Sequence, residues 1–330
     1  MDGVLVIDKP IGPTSHDVVA RVRRALREKR IGHTGTLDPA ASGVLPLVVG
    51  RATRLARFLS ARDKQYDAII RLGWSTDTGD ARGAPVGGTY EGTLPGRDDV
   101  EAALEDFRRT FLQQPPAFSA KRIDGHRSYA LARAKVDVLP APLLVTAHAI
   151  DVVNLDEHQL TLHIDCSAGF YVRALARDLG ERLGLGAHVT TLRRTGSGDY
   201  TLSDAISLNV VEGDRDRAAG AVIPLARLLQ QLSWVVLTSE GARHARHGRN
   251  LEPADLISRG APPSAAGAPA SAPERPALSI VEGPALTVVE GRVPDTVERW
   301  VRLLDSGGDL LGLARVTGES GLLHPSVLLM

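Results

Sequence analysis

Cysteine is nearly missing from this sequence. Cys166 stands alone among 330 residues, so no disulfide forms within the chain and no thiolate cluster is present to hold a metal. That usage fits a reducing compartment. Long apolar runs are missing too. No stretch carries enough uninterrupted hydrophobic residues to span a bilayer, and the opening Met1-Asp2-Gly3-Val4 lacks the basic segment, apolar stretch and cleavage site of an export signal. The expectation is a cytoplasmic protein without a membrane partner. Neither sign of charge is in excess: 39 Lys plus Arg balance 39 Asp plus Glu, so nucleic-acid contact has to come from local clusters. Nucleotide-phosphate signatures are also absent. Gly32 and Gly35 are not followed by Gly-Lys-Ser/Thr, and the Rossmann glycine spacing is missing with its strand and helix.

What is present is a chain with 43% hydrophobic residues, long enough for one sizeable core and a smaller second domain. Basic clusters occur at Arg21 to Arg30, Lys121 to Arg127 and Arg193-Arg194. Each of them also reads as an ordinary solvated face. The chain opens with a strand through Val4 and Ile7, stopped by Lys9-Pro10-Ile11-Gly12-Pro13. Thr14 or Ser15 then caps a helix with Val18, Val19, Val22 and Leu26 on one face. A polar loop from Gly32 to Gly43 leads into the buried strand Val44 to Val49.

Further strands are expected over Tyr66–Leu72 and Leu160–Cys166, an amphipathic helix over Asp99–Phe111, and a helix over Tyr171–Leu183. Strands and helices alternate irregularly, which defines an α/β or α+β chain. Residues Pro262 to Pro276 are Pro- and Ala-rich and are expected to be disordered. A near-tandem pair, 277–284 and 285–292, carries Val-Glu-Gly twice, and the whole stretch of about 260–295 reads as an insertion. Trp300 to Arg315 reads as a hairpin turning at Gly307-Gly308.

One carboxylate stands out chemically. Asp38 precedes Pro39, which restricts it to extended conformations, and a positioned carboxylate serves as nucleophile or base. Turn chemistry alone makes Asp38-Pro39 an equally good turn. His244 and His247 lie among arginines with no convincing third ligand, so phosphate contact or solvent exposure is favoured over zinc.

Two N-terminal stretches change the balance. Lys9-Pro10-Ile11-Gly12-Pro13-Thr14-Ser15 and the longer run from Gly32-His33-Thr34-Gly35-Thr36-Leu37-Asp38-Pro39 to Pro46 closely resemble motifs of the bacterial TruB family of tRNA pseudouridine synthases. The similarity continues through Asp63-Lys64-Gln65-Tyr66, Thr76 to Asp80, Pro115 to Ala120, Cys166 to Arg173 and Gly186 to Arg194, over roughly the first 230 residues. It implies a pseudouridine synthase fold over residues 1–232, with a mixed, largely antiparallel sheet. A small PUA-like β domain over 233–330 is implied to follow it.

The resemblance makes Asp38 the essential aspartate, Tyr66 the aromatic that stacks on the target base, and Arg173 the cation that pairs with the aspartate. Tyr171 and Leu192 match positions lining the uracil pocket, His33 matches a histidine that contacts the flipped nucleotide, and Asp80 is a further matched polar residue. No cofactor and no metal is implied, since isomerising uridine needs no oxidant and no external atom. The implied partner is the T stem-loop of tRNA, with U55 as target, and the chain is expected to act as a monomer without an obligate protein partner. The same chemistry on another RNA, and a non-catalytic RNA-binding role, are the alternatives. Asp38 either attacks the sugar or abstracts a sugar proton to give a glycal-like intermediate.

Overall fold

The computed structural model describes residues 1–117, 140–261, 300–317 and 322–329, and the backbone alone at 122–123 and 126–127. The basic cluster from Lys121 to Arg127, the end of the Pro115–Ala120 motif, the Pro- and Ala-rich stretch and the Val-Glu-Gly pair fall wholly or largely outside the described side chains. The chain divides into two compact units after Leu225, where the sequence set a boundary at about 232.

The first unit is built on one large mixed sheet. Strand β1 (Gly3–Lys9) is buried along almost its whole length, as its near-continuous apolar run requires of a central strand. Helix α1 (Ser15–Leu26) follows, and Thr14 caps it by accepting from the Asp17 backbone while Asp17 reaches back to the Thr14 N–H. Val18, Val19, Val22 and Leu26 are its buried stripe. Strands β2 (Ile31–His33) and β3 (Ala41–Val49) flank the polar loop predicted from the sequence.

Strand β4 (Lys64–Leu72) alternates buried and solvent-facing residues in period two, as a half-covered strand does. Helix α2 (Arg97–Leu104) and strand β5 (Thr110–Gln113) come next. A long hairpin then joins β6 (Leu143–Asp156) to β7 (Gln159–Cys166). Helix α3 (Val172–Arg182), strand β8 (Ala187–Ser197) and the short β9 (Ile206–Ser207) complete the frame. The strand order is β9-β1-β3-β8-β4-β7-β6-β5. Only the β9–β1 and β3–β8 pairs along it are parallel, so the sheet is mixed and largely antiparallel.

The helix expected over Asp99–Phe111 is shorter than its periodicity implied. It ends at Leu104, a 3-10 turn carries the chain through Phe107, and Phe111 lies in β5. Pairing with β6 and an edge-on contact of Phe111 with Phe170, 6.2 Å between ring centres, outweigh the local helical pattern.

The second unit is a five-stranded sheet made from β10 (Ser233–Leu237), β11 (Leu256–Gly260), β12 (Trp300–Leu304), β13 (Leu310–Thr317) and β14 (Leu322–Leu328). Their order is β11-β10-β12-β13-β14, and the hairpin expected at Gly307-Gly308 joins β12 to β13. On the helix Ser239–Arg246, His244 is neither a free phosphate contact nor solvent-exposed. Its Nδ1 lies 2.9 Å from Oδ1 of the buried Asp255 and its Nε2 3.0 Å from Glu240.

Where β3 runs parallel to β8, Gly43 faces Arg194. Its φ is +104°, and a Cβ there would stand 2.1 Å from the Arg194 carbonyl oxygen. Gly43→Ala is therefore expected to lower stability by roughly 2–4 kcal/mol, from strain plus a forced shift of packed strands. A urea-unfolding midpoint equal to wild type contradicts this account of the β3–β8 seam.

Candidate active site

Residues 34–40, between β2 and β3, carry the site, and almost every peptide of this loop is tied down. The Thr34 N–H donates to the Pro46 carbonyl at 3.1 Å, and the Gly12 N–H donates to the Pro39 carbonyl at 2.8 Å. Ser15 Oγ donates to the Leu37 carbonyl at 3.0 Å and accepts from the Leu37 N–H at 2.8 Å. Leu37 itself is 3% exposed and packs in the core, which turns the next side chain, Asp38, outward. Two buried cations finish the anchoring. Lys9 Nζ donates to the carbonyls of Ala41 at 2.7 Å and Pro10 at 2.9 Å. Arg194 donates from Nε to Val44 at 2.7 Å and from Nη2 to Gly35 at 3.1 Å.

Asp38 meets its cation from a distant part of the chain. Arg173 Nε lies 2.8 Å from Asp38 Oδ2, with the arginine side chain 6% exposed and the aspartate 35%. Arg173 is the second residue of α3, and its Nη1 also donates to the Thr78 carbonyl at 2.8 Å. The start of α3 is fixed in turn by Gln113, whose amide accepts from the Tyr171 N–H at 2.8 Å and donates to the Tyr171 carbonyl at 3.0 Å. The carboxylate is held in one orientation but is open to a ligand.

Asp38, Tyr66, Tyr171, Arg173 and Leu192 line a single cleft, together with Phe170, Lys64 and Arg194. Tyr66 is 8% exposed, and burial raises its phenol pKa. Asp80 lies beside a smaller recess that shares Asp38, Arg173 and Leu192, and its carboxylate accepts from Thr78 Oγ1 at 2.8 Å and from the Arg82 N–H at 3.0 Å. It closes a turn at the cleft edge. His33 is not among the cleft-lining residues. It ends β2, where its Nδ1 accepts from the Gly35 N–H at 3.4 Å and its ring meets His16 edge-on at 6.2 Å.

Lys64 and Arg194 are the charged cleft residues to which the sequence assigned no role. The pair Arg193-Arg194 read as a solvated basic face, but it lies on strand β8, where alternation sends Arg193 to a surface pair with Asp8 and Arg194 inward, 1% exposed. The same period on β4 puts Lys64 two residues from Tyr66 on one face. That spacing was the available signal.

An arginine-held carboxylate beside an aromatic, mostly apolar slot suits a planar ring attached to a carbon that the carboxylate, or a base, attacks. Among the described residues no group of three or more His, Cys, Asp or Glu is placed to hold a metal. Among the same residues no helix is long and apolar enough to cross a membrane.

The fold matches solved structures along nearly its whole length. A chain of a Cbf5-Nop10-Gar1 complex superposes with a TM-score of 0.68 over 99% of this chain and 85% of that one, at 22% identity. The architecture is thus one that is also found in that complex. Residues 23–172 match the model for the TruB family pseudouridylate synthase N-terminal domain, and residues 173–233 that for the tRNA pseudouridylate synthase B C-terminal domain. A tRNA pseudouridine synthase B of Solibacter usitatus is 45% identical over 253 residues, covering 76% of this chain and 86% of the relative. One of Cupriavidus pinatubonensis is 41% identical over 264 residues, covering 79% and 83%. The chain belongs to the TruB family of pseudouridylate synthases.

Burial lowers the pKa of Lys9 to about 8, against which the negative charge of Asp38 acts. Lys64 is likewise lowered to about 8, first by burial and then by the charge of Arg194. Below about pH 8 both lysines are charged in the folded and the unfolded chain, and the penalty is constant. Between about 8 and the ordinary 10.5 the folded protein has shed protons that the unfolded chain keeps, so their contribution to stability rises with pH in that window. NMR titration of lysines labelled at Cε is expected to show two groups near pH 8, and none below 10 contradicts it.

Proposed function

We propose that the chain converts uridine to pseudouridine in tRNA, with U55 of the T loop as its target. Membership of the family supports the chemistry, and the relatives' name, tRNA pseudouridine synthase B, supports the class of RNA. The observation that carries the reading is the 2.8 Å contact between Asp38 and Arg173 at the mouth of an aromatic slot.

In this reading a uridine stacked in a folded loop is first extruded, since its glycosidic bond is otherwise out of reach of the carboxylate. Tyr66 stacks on the flipped base, Tyr171 and Leu192 close the slot around it, and Asp38 acts at the ribose. Arg173 pairs with Asp38 and fixes its direction. His33 contacts the nucleotide from outside the slot, and Asp80 shapes the turn at the cleft edge. The reaction isomerises its substrate, so no oxidant, metal or cosubstrate is called for. The chain is taken to act as a monomer, and a tRNA substrate fits the cytoplasm.

Asp38→Asn is expected to abolish pseudouridine formation in a T stem-loop RNA, by about 10³-fold or more, while leaving RNA affinity within a few-fold of wild type. Turnover close to wild type sinks the role of Asp38. Arg173→Lys is expected to cost on the order of 10²-fold, because a point charge does not replace the planar fork that meets both Asp38 and the Thr78 carbonyl. RNA binding is expected to weaken steeply as salt is raised, as phosphate contacts require.

A further inference from the structure

Two cations of the cleft have no part in the roles above. Arg194 is 1% exposed and Lys64 6% exposed, and among the described residues neither has a carboxylate at ion-pair distance. Their charges rest on carbonyl oxygens, of Val44 and Gly35 for the arginine and of Ser60 and Arg62 for the lysine. The charge of Arg194 also acts on the Tyr66 phenol, against the rise that burial causes. Both side chains reach the same place. Arg194 stands opposite Tyr66 across the β8–β4 pair, and Lys64 lies two residues from Tyr66 on the same face. A Cβ built on Gly35 would lie 3.4 Å from Arg194 Nη1 and 3.5 Å from Lys64 Cε, so both cations sit directly under the loop that carries Asp38.

Burying a cation without a carboxylate is costly, and carbonyl dipoles offset only part of the cost. With Arg173, three cations line the cleft against one carboxylate, Asp38. The cleft therefore has an excess of positive charge that only an incoming or newly formed anion balances. The lowered pKa of Lys64 points the same way, since an anion arriving beside it relieves the penalty of burial and of Arg194. Two nucleotide anions are conceivable, a backbone phosphate and the base. A phosphate belongs with the ribose at the open side, beside Asp38, which is 35% exposed. Arg194 and Lys64 are instead buried, Arg194 opposite the buried Tyr66, on whose phenol its charge acts, and Lys64 two residues from Tyr66 on the same face.

We propose that Arg194 and Lys64 stabilise the uracil ring as an anion after its bond to ribose has broken. The proposal rests on the pseudouridine synthase reading above. The C1′–N1 bond breaks with its electron pair going to N1, and the negative charge spreads over N1, O2 and O4. C1′ meanwhile bonds to an oxygen of Asp38, or its neighbour C2′ gives a proton to Asp38 to form the glycal. The ring turns and C5 bonds to C1′ as the Asp38–C1′ bond breaks with its electron pair returning to the carboxylate, or as C2′ of the glycal takes its proton back from Asp38; C5 then loses its proton and N1 takes one up. Atoms and electrons balance. A buried field suits this sequence better than a directed hydrogen bond, because the ring has to rotate while it carries the charge.

The test compares two T stem-loop RNAs, one with uridine and one with 5-fluorouridine at the target position. Fluorine withdraws electrons and makes the ring a more stable anion, so it replaces part of the stabilisation that the cations give. Single-turnover loss of the target nucleoside is followed for wild type, Arg194→Met, Arg194→Lys and Lys64→Met. Removing one stabilising donor is expected to slow uridine conversion by about 10²-fold, in kcat more than in KM. The ratio of the 5-fluorouridine rate to the uridine rate is expected to rise at least several-fold over wild type in Arg194→Met and Lys64→Met, and to stay near wild type in Arg194→Lys. A ratio within one enzyme does not depend on how much of it is folded. If Arg194→Met is too slow to follow, Lys64→Met decides. An unchanged ratio overturns the proposal, and a raised KM with an unchanged ratio assigns the cations to a phosphate instead. Wild type that converts neither RNA overturns the reading of the function itself.

Discussion

An aspartate proposed to act on a bound nucleotide faces two demands: it must be reachable, and it must hold one direction before the ligand arrives. The contact of Arg173 Nε with Asp38 Oδ2 at 2.8 Å meets both, since the arginine is buried and the carboxylate is about one third exposed. Everything else in the first unit serves to keep these two groups in register. Arg173 is immobilised by the Thr78 carbonyl and by the Gln113 clamp at the start of α3. Asp38 is immobilised by a loop whose peptides are tied to Ser15, Gly12 and Pro46 and to two buried cations. The residues involved span positions 9 to 194, so the site exists only once the sheet is complete.

The cations illustrate how the fold accepts a cost at its working centre. Lys9 is fully buried and Arg194 nearly so, and both charges hold carbonyls of the loop that carries Asp38 and of the strand that follows it. A neutral core would be cheaper there. What the charges give is a tied-down loop, and Arg194 with Lys64 adds the positive field proposed for the slot. Preorganised charge in a dry site works because it does not have to reorient during the reaction.

Much of the frame was legible in the sequence because local signals agreed with the fold. Thr14, one of the two caps the sequence offered, marked the start of α1, the apolar run Val44 to Val49 marked β3, and the strand-like run from Tyr66 to Leu72 marked β4. The helix expected to run to Phe111 failed because Phe111 packs on Phe170 from a strand, a contact across 59 positions that no local pattern shows. The site was legible only through the long motif around Asp38, since by turn chemistry alone that residue had no distinguishing mark. Arg194 was misread as a surface charge because burial of an arginine depends on which strands enclose it. Pairing of residues 38 and 173 came from the resemblance, and spacing alone did not foretell it.

The central claim is that Asp38 of this chain makes pseudouridine at one uridine of tRNA. Its most direct test is a map of modified uridines in the tRNA of cells lacking the gene, with and without a restored copy. The account predicts that pseudouridine disappears from position 55 alone, returns with the wild-type copy, and does not return with Asp38→Asn. An unchanged T loop in the deleted cells, or full recovery with Asp38→Asn, would contradict it.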